Sequence, residues 1–160
     1  MKNNTILCAA LLSVLMVSAV EAKTKNYYTE AKNVESFDTM LKDKKHTVVW
    51  FYNYKNMSRN DYKNLQKIYD KVANTERYTD RENLQFLAVN VSTKQGRNIF
   101  NRYNELNDTT MVELPAILLF RDGKMVNNQL SGEMTKERIK SFIERYFKRV
   151  PKAKKSMQTK

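Results

Sequence analysis

The 160 residues hold one histidine, His46, and one cysteine, Cys8, so the chain offers few routes to covalent chemistry. Its one nucleophile–base pairing is Ser58 with His46, since a serine hydroxyl attacks only when a base takes its proton. His46 precedes the apolar run Val48–Tyr52 and Ser58 follows it. Read as a strand, that run separates them by about 20 Å. His46 therefore reads as a solvated turn residue and Ser58 as a loop or helix-start serine. Asp61 is the only acid near Ser58 in sequence, so no carboxylate pair is available for acid–base work. Zinc and iron–sulfur sites need several Cys or His ligands, and glycines at only 96, 123 and 132 cannot form a phosphate-cradling loop. The residue inventory excludes catalysis and implies no metal and no cofactor.

The elements that must position whatever remains begin after a leader. Lys2, the apolar stretch Ile6–Val20 and the exit Val20-Glu21-Ala22 have the layout of a secretory signal peptide. The stretch falls short of the roughly twenty residues that span a bilayer; an uncleaved anchor is the alternative. Cleavage near Ala22 removes Cys8 and leaves residues 23–160 without sulfur nucleophiles. Lys2 and Glu21 leave together, so the formal charge stays at +12. The reading is an exported chain, periplasmic or secreted, whose stability rests on its core without disulfides.

Residues 23–33 read as an N-terminal extension. Val34, Phe37, Met40 and Leu41 then fall at helical spacing, and Lys42–His46 reads as a polar turn. Val48–Tyr52 is apolar without alternation, as a strand covered on both faces is. Leu65, Ile68, Tyr69 and Val72 restore helical spacing, Leu84–Val91 gives a second strand, and Ile99, Phe100 and Tyr103 mark another helix. The apolar run after Leu114-Pro115 ends in Asp122-Gly123, a hairpin turn signal, with Met125–Leu130 returning. Thr135 is placed to cap a last helix with Ile139, Phe142, Ile143 and Tyr146 on its buried stripe. This order predicts an α/β domain with a mixed central sheet, helices on both faces, and a closing β-hairpin and C-terminal helix.

Several fragments occur together in a telling order: Glu35-Ser36-Phe37-Asp38, the strand Val48–Tyr52, the helix from Lys63 to Ala73, Ala88-Val89-Asn90-Val91, and Leu114-Pro115 followed by Phe120-Arg121-Asp122-Gly123-Lys124. Over residues 34–147 the chain resembles the thioredoxin and protein disulfide isomerase superfamily. The resemblance implies a thioredoxin fold and a cis Leu114–Pro115 bond.

The departures from the family are specific. Its members carry Cys-x-x-Cys between the first core strand and the next helix, where this chain reads Asn53-Tyr54-Lys55-Asn56-Met57-Ser58-Arg59-Asn60-Asp61-Tyr62. Aligned from the strand, the cysteine positions fall on Lys55 and Ser58; aligned from the helix, on Arg59 and Tyr62. Both alignments stay open, and neither supplies a thiol. Exchange requires a thiolate attacking a disulfide sulfur. The buried acid that the family keeps in the strand falls on Val49 or Trp50. The resemblance thus points to a redox-inactive member.

Binding is what such a scaffold retains. In the family the backbone just before the cis-proline pairs with an extended peptide, a mode that needs main-chain groups and a side-chain pocket. Carried over, Leu114 offers its backbone, Pro115 fixes the geometry, Ala116 follows, and Tyr54 and Met57 form the opposing wall. The other reading is that Pro115 serves the fold alone. Tyr69 shares the helix stripe with Leu65 and Val72 and reads as core; Tyr54 and Tyr62 are the surface candidates.

Residues 148–160 read as a basic disordered tail holding Lys148, Arg149, Lys152, Lys154, Lys155 and Lys160 and no acid. That tail suits an anionic membrane surface or acidic polymer as an alternative partner. An export signal removes the chain from nucleic acid, so none is expected as partner. The acceptor triplets at Asn56, Asn90 and Asn107 matter only in a eukaryotic secretory route.

Overall fold

The seven residues His46–Tyr52 are all buried, which a strand achieves only with neighbours on both edges and layers on both faces. The computed structural model describes residues 27–75, 78, 82–105 and 113–147. The stretch read as a leader, with Cys8, and the stretch read as a basic tail from Lys148 lie outside the described residues. Strands β1 (Thr29–Glu30), β2 (His46–Tyr52), β3 (Leu84–Asn90), β4 (Ala116–Arg121) and β5 (Lys124–Ser131) form one sheet in the order β1-β3-β2-β4-β5. β1 and β2 run parallel to β3, whereas β4 is antiparallel to β2 and β5. Thr29 and Glu30 pair with Leu87 and Ala88, so the sheet draws its first edge from the stretch read as an extension.

Among the described residues, four helices flank the sheet: α1 (Val34–Asp43), α2 (Arg59–Ala73), α3 (Lys94–Glu105) and α4 (Lys136–Tyr146). Side-chain alternation in β2 divides the core into two layers. Val48, Trp50 and Tyr52 pack with Tyr69 and Val72 of α2 and with Ile139 and Ile143 of α4. Val49 and Phe51 pack with Phe37 and Leu41 of α1 and with Ile99 of α3. Each large apolar side chain removed from water contributes about 1.5–3 kcal/mol.

The helix starts follow local chemistry. Asn33 and Ser36 form a reciprocal capping box on α1, and Thr135 accepts the Arg138 N–H at 3.2 Å to cap α4. The β4–β5 hairpin turns through Asp122 at φ 51° and Gly123 at φ 76°, the paired left-handed residues that a tight hairpin demands. Gly96 permits a close approach: a Cβ there would lie 1.9 Å from the Asn90 carbonyl oxygen, so α3 starts directly against the end of β3.

One expectation fails. His46 is not a solvated turn residue; it opens β2, is 6% exposed, and donates its N–H to the Asn83 carbonyl at 2.9 Å. Its ring lies 4.5 Å from that of Phe147. The reason is register. His46 pairs with Leu84 on one side and Arg121 on the other, so both neighbouring strands extend β2 past its apolar run and draw in two polar residues.

Candidate functional site

The C-terminal end of β2 and the N-terminal end of β4 adjoin, because Phe51 pairs with Ala116 in an antiparallel register. The next residues outward are Tyr52 to Tyr54 following β2 outward and Pro115 and Leu114 preceding β4. The Leu114–Pro115 bond is cis. Beyond Ala116 the sheet stops. β5 ends at Ser131, opposite Ala116, and Gly132 at φ 77° redirects the chain. Among the described residues, the Leu114 main chain has no backbone hydrogen-bond partner. Ala116 is fully buried between β2 and β5, so it supports the site from within rather than lining it. The Leu114 side chain packs on the α1/α3 layer, whereas Met57 packs on the α2/α4 layer. The two therefore meet the sheet end from opposite faces.

The loop opposite is a single 3-10 turn over Tyr54–Asn56, and side chains hold it. The Lys55 N–H lies 3.2 Å from Asn53 Oδ1 and 3.0 Å from Ser92 Oγ, and the Ser92 hydroxyl donates to Asn53 Oδ1 at 2.9 Å. Tyr54 is 45% exposed and meets the half-buried Tyr62 edge-on at 4.9 Å. Tyr62 in turn lies over Trp50 and Tyr52, at 6.1 and 5.4 Å between centroids. An aromatic wall thus runs from the surface into the core. Tyr69 is core, as its spacing indicated.

The positions aligned with the family cysteines are dispersed. Lys55 is exposed on the 3-10 turn, Ser58 caps α2, Arg59 is its first residue, and Tyr62 lies one turn in. Ser58 accepts the Asp61 N–H at 3.1 Å and donates to the Asp61 carboxylate at 2.6 Å. That hydroxyl is committed to capping, and His46 sits at the far end of β2. The Ser58–His46 pairing is therefore not assembled. Among the described residues no group of three His, Cys, Asp or Glu side chains could hold a metal, and no helix is long and apolar enough to cross a membrane.

Val49 and Trp50, the alternative places for the family's strand acid, are both buried, on opposite layers. The Trp50 indole N–H has no hydrogen-bond partner among the described residues. The nearby acid comes instead from β1, where Glu30 accepts the Tyr52 hydroxyl at 2.9 Å. Burial first, and the Glu30 charge second, raise the Tyr52 phenol well above its ordinary range. Tyr28 is raised by burial despite the bond from Gln66. Sequence reasoning missed Glu30, Tyr28 and Ser92: β1 is only two residues long, and Ser92 acts through a contact to a loop 37 residues away.

The sequence matches no family model and no curated protein. Solved structures do match. Oxidised thioredoxin from Plasmodium falciparum aligns with 74% of this chain and 97% of its own, at 18% identity and a TM-score of 0.56. A thioredoxin mutant from Halobacterium salinarum gives 79%, 97%, 16% and 0.58 on the same measures. Human ERp44 aligns over 76% of this chain but 29% of its own, at 20% identity and a TM-score of 0.58. This chain has the thioredoxin fold. Its sequence carries a single cysteine, Cys8, outside the described residues, and no Cys-x-x-Cys pair. At the loop where the thioredoxin fold's redox pair is expected stand a bonded serine, two cations and a tyrosine.

Proposed function

We propose that the chain is an exported, redox-inactive thioredoxin-fold module that binds extended polypeptide along the main chain of Leu114. One observation carries this reading: the Leu114 backbone projects past the last paired residues of β5 and has no backbone partner among the described residues. A peptide in extended form supplies the missing N–H and C=O partners as an added strand. Pro115 sets the direction of that segment, and Tyr54 and Met57 offer apolar surface to the peptide side chains. Met57 suits varied clients because its unbranched thioether adapts to irregular surfaces. Disulfide exchange is left out because no thiol stands in the loop.

Titration of the chain lacking residues 1–22 with unfolded or extended peptides tests this reading by amide chemical shifts. Shifts at Leu114 and Tyr54–Met57 are expected. No response there at millimolar peptide overturns it. Insulin reduction by the same protein is expected to show no turnover, and measurable turnover overturns the redox-inactive assignment.

A further inference from the structure

Away from Leu114, the outer strand β5 and helix α4 enclose an open groove of about 380 Å³, lined by Leu130, Glu137, Arg138, Ser141, Phe142 and Arg145. We infer that this groove is a second binding site, for an extended acidic segment of another polypeptide.

Helical spacing sets its chemistry. Arg138, Phe142 and Arg145 are four and three residues apart and share one face of α4. Seven residues at 1.5 Å rise place the two arginines about 10 Å apart along the axis. Phe142 between them, with Leu130 below, gives an apolar floor that both guanidinium groups flank. Both arginines are exposed. Arg138 donates to the Glu133 carbonyl, and neither arginine has a carboxylate partner among the described residues. Glu137 is the one acid in the lining, so two cations face one anion within a chain of net charge +12. Guanidinium groups in such a setting select carboxylates, which accept their paired N–H groups in a planar fork.

The edge of β5 favours a strand as occupant. Among the described residues β5 is the outermost strand on its side of the sheet, and Met125–Ser131 contains no charge, so that stretch carries none to repel an incoming backbone. Gln129, Leu130 and Ser131 keep regular register with Leu118, Ile117 and Ala116. Before them the register shifts between Leu118 and Phe120, and such an irregularity bends an edge. The flat part of the edge is therefore the short piece beside the groove. A second copy of this chain is disfavoured, since a bent edge limits β5–β5 pairing and two strongly basic molecules repel. A strand sets side chains on one face about 7 Å apart. Acids four residues apart can thus reach both arginines while the apolar residue midway between them, on the same face, meets Phe142.

The test uses a synthetic peptide of about eight residues repeating Glu-Ser-Val-Ser, which sets Glu and Val in turn on one face and is long enough at ~3.3 Å per residue to run the groove. Fluorescence anisotropy measures binding and amide shifts locate it. Support consists of shifts at Gln129–Ser131 and along α4, binding that weakens as salt rises, and a loss of about tenfold or more in Arg145→Glu. Arg138→Glu provides a second variant at an exposed position, and near-ultraviolet circular dichroism checks that both fold. Equal binding of a Lys-for-Glu peptide, no shifts in the groove at millimolar peptide, or dimerisation through β5 without peptide would each overturn it. Shifts confined to Leu114 and Tyr54–Met57 also overturn this site while leaving the first one standing.

Discussion

The two faces of the sheet solve the same packing problem with different residues. Beneath α1 and α3 the rings are mostly phenylalanines: Phe37, Phe51 and Phe120 buried, with Phe100 and Tyr103 beside them. Beneath α2 and α4 tyrosines and Trp50 predominate, with Tyr52, Tyr69 and Tyr78 buried and Tyr28, Tyr62 and Tyr146 partly so, beside Phe86, Phe142 and Phe147. A phenylalanine layer asks only for shape and contact. A tyrosine layer also needs a partner for each oxygen, because an unpaired buried hydroxyl is costly. Tyr69 lies within 2.9 Å of the Val48 carbonyl and 2.8 Å of that of Leu87, and Tyr52 donates to Glu30. The tyrosine layer is also the one from which the aromatic wall rises to Tyr54. The contrast separates a layer that holds the fold from a layer that both holds it and reaches the surface beside the loop.

Alkaline pH attacks that contrast most strongly. Burial raises the phenols of Tyr28, Tyr52, Tyr69 and Tyr103, and the neutral, protonated form is the one the fold accepts. Their contribution is complete below the unfolded value of about 10 and is lost as pH rises above it. Tm followed by circular dichroism should hold near neutrality and fall steeply above about pH 10. Tyr28→Phe with Tyr52→Phe should soften that fall more than Tyr103→Phe. A Tm unchanged through about pH 11 would break the contrast.

Truncation comes next in size. Phe37→Ala and Trp50→Ala should each lower stability by about 3–5 kcal/mol in urea titrations. Trp50→Phe sharpens the comparison: it removes a buried indole donor that lacks a partner, a liability of about 1–3 kcal/mol. Its loss should be clearly smaller than that of Trp50→Ala, and equal losses would mean that the indole N–H is satisfied. Tyr69→Phe should cost about 1–2 kcal/mol through its hydroxyl bonds. Ser58→Ala, which removes only the α2 cap, should cost about 1 kcal/mol and leave peptide binding intact.

Much of the scaffold is legible because the signals are local. Val48–Tyr52 announces a central strand by its unbroken apolar run, and Asp122-Gly123 marks its turn by backbone chemistry alone. Thr135 and the stripe through Ile139 and Ile143 place α4. His46 misleads for the opposite reason: a polar residue beside lysines looks exposed until neighbouring strands on both sides extend β2 over it. The site is less legible. Tyr54, Met57, Leu114 and Pro115 are visible through the family pattern, yet no periodicity tells that Leu114 and Met57 belong to different layers. Glu30 and Ser92 act across long sequence separations, and nothing around them in the chain signals the pairing.

The bonds among Asn53, Lys55 and Ser92, with α3 seated on Asn90 through Gly96, mean that the rim around Tyr54 is set before any visitor arrives. A rim already cast in shape spends no disorder of its own on docking, so the visitor supplies nearly all the ordering cost. Enlarging Gly96 to alanine would prise that seat apart from a distance, and the template would lose its outline without any residue of the rim being changed.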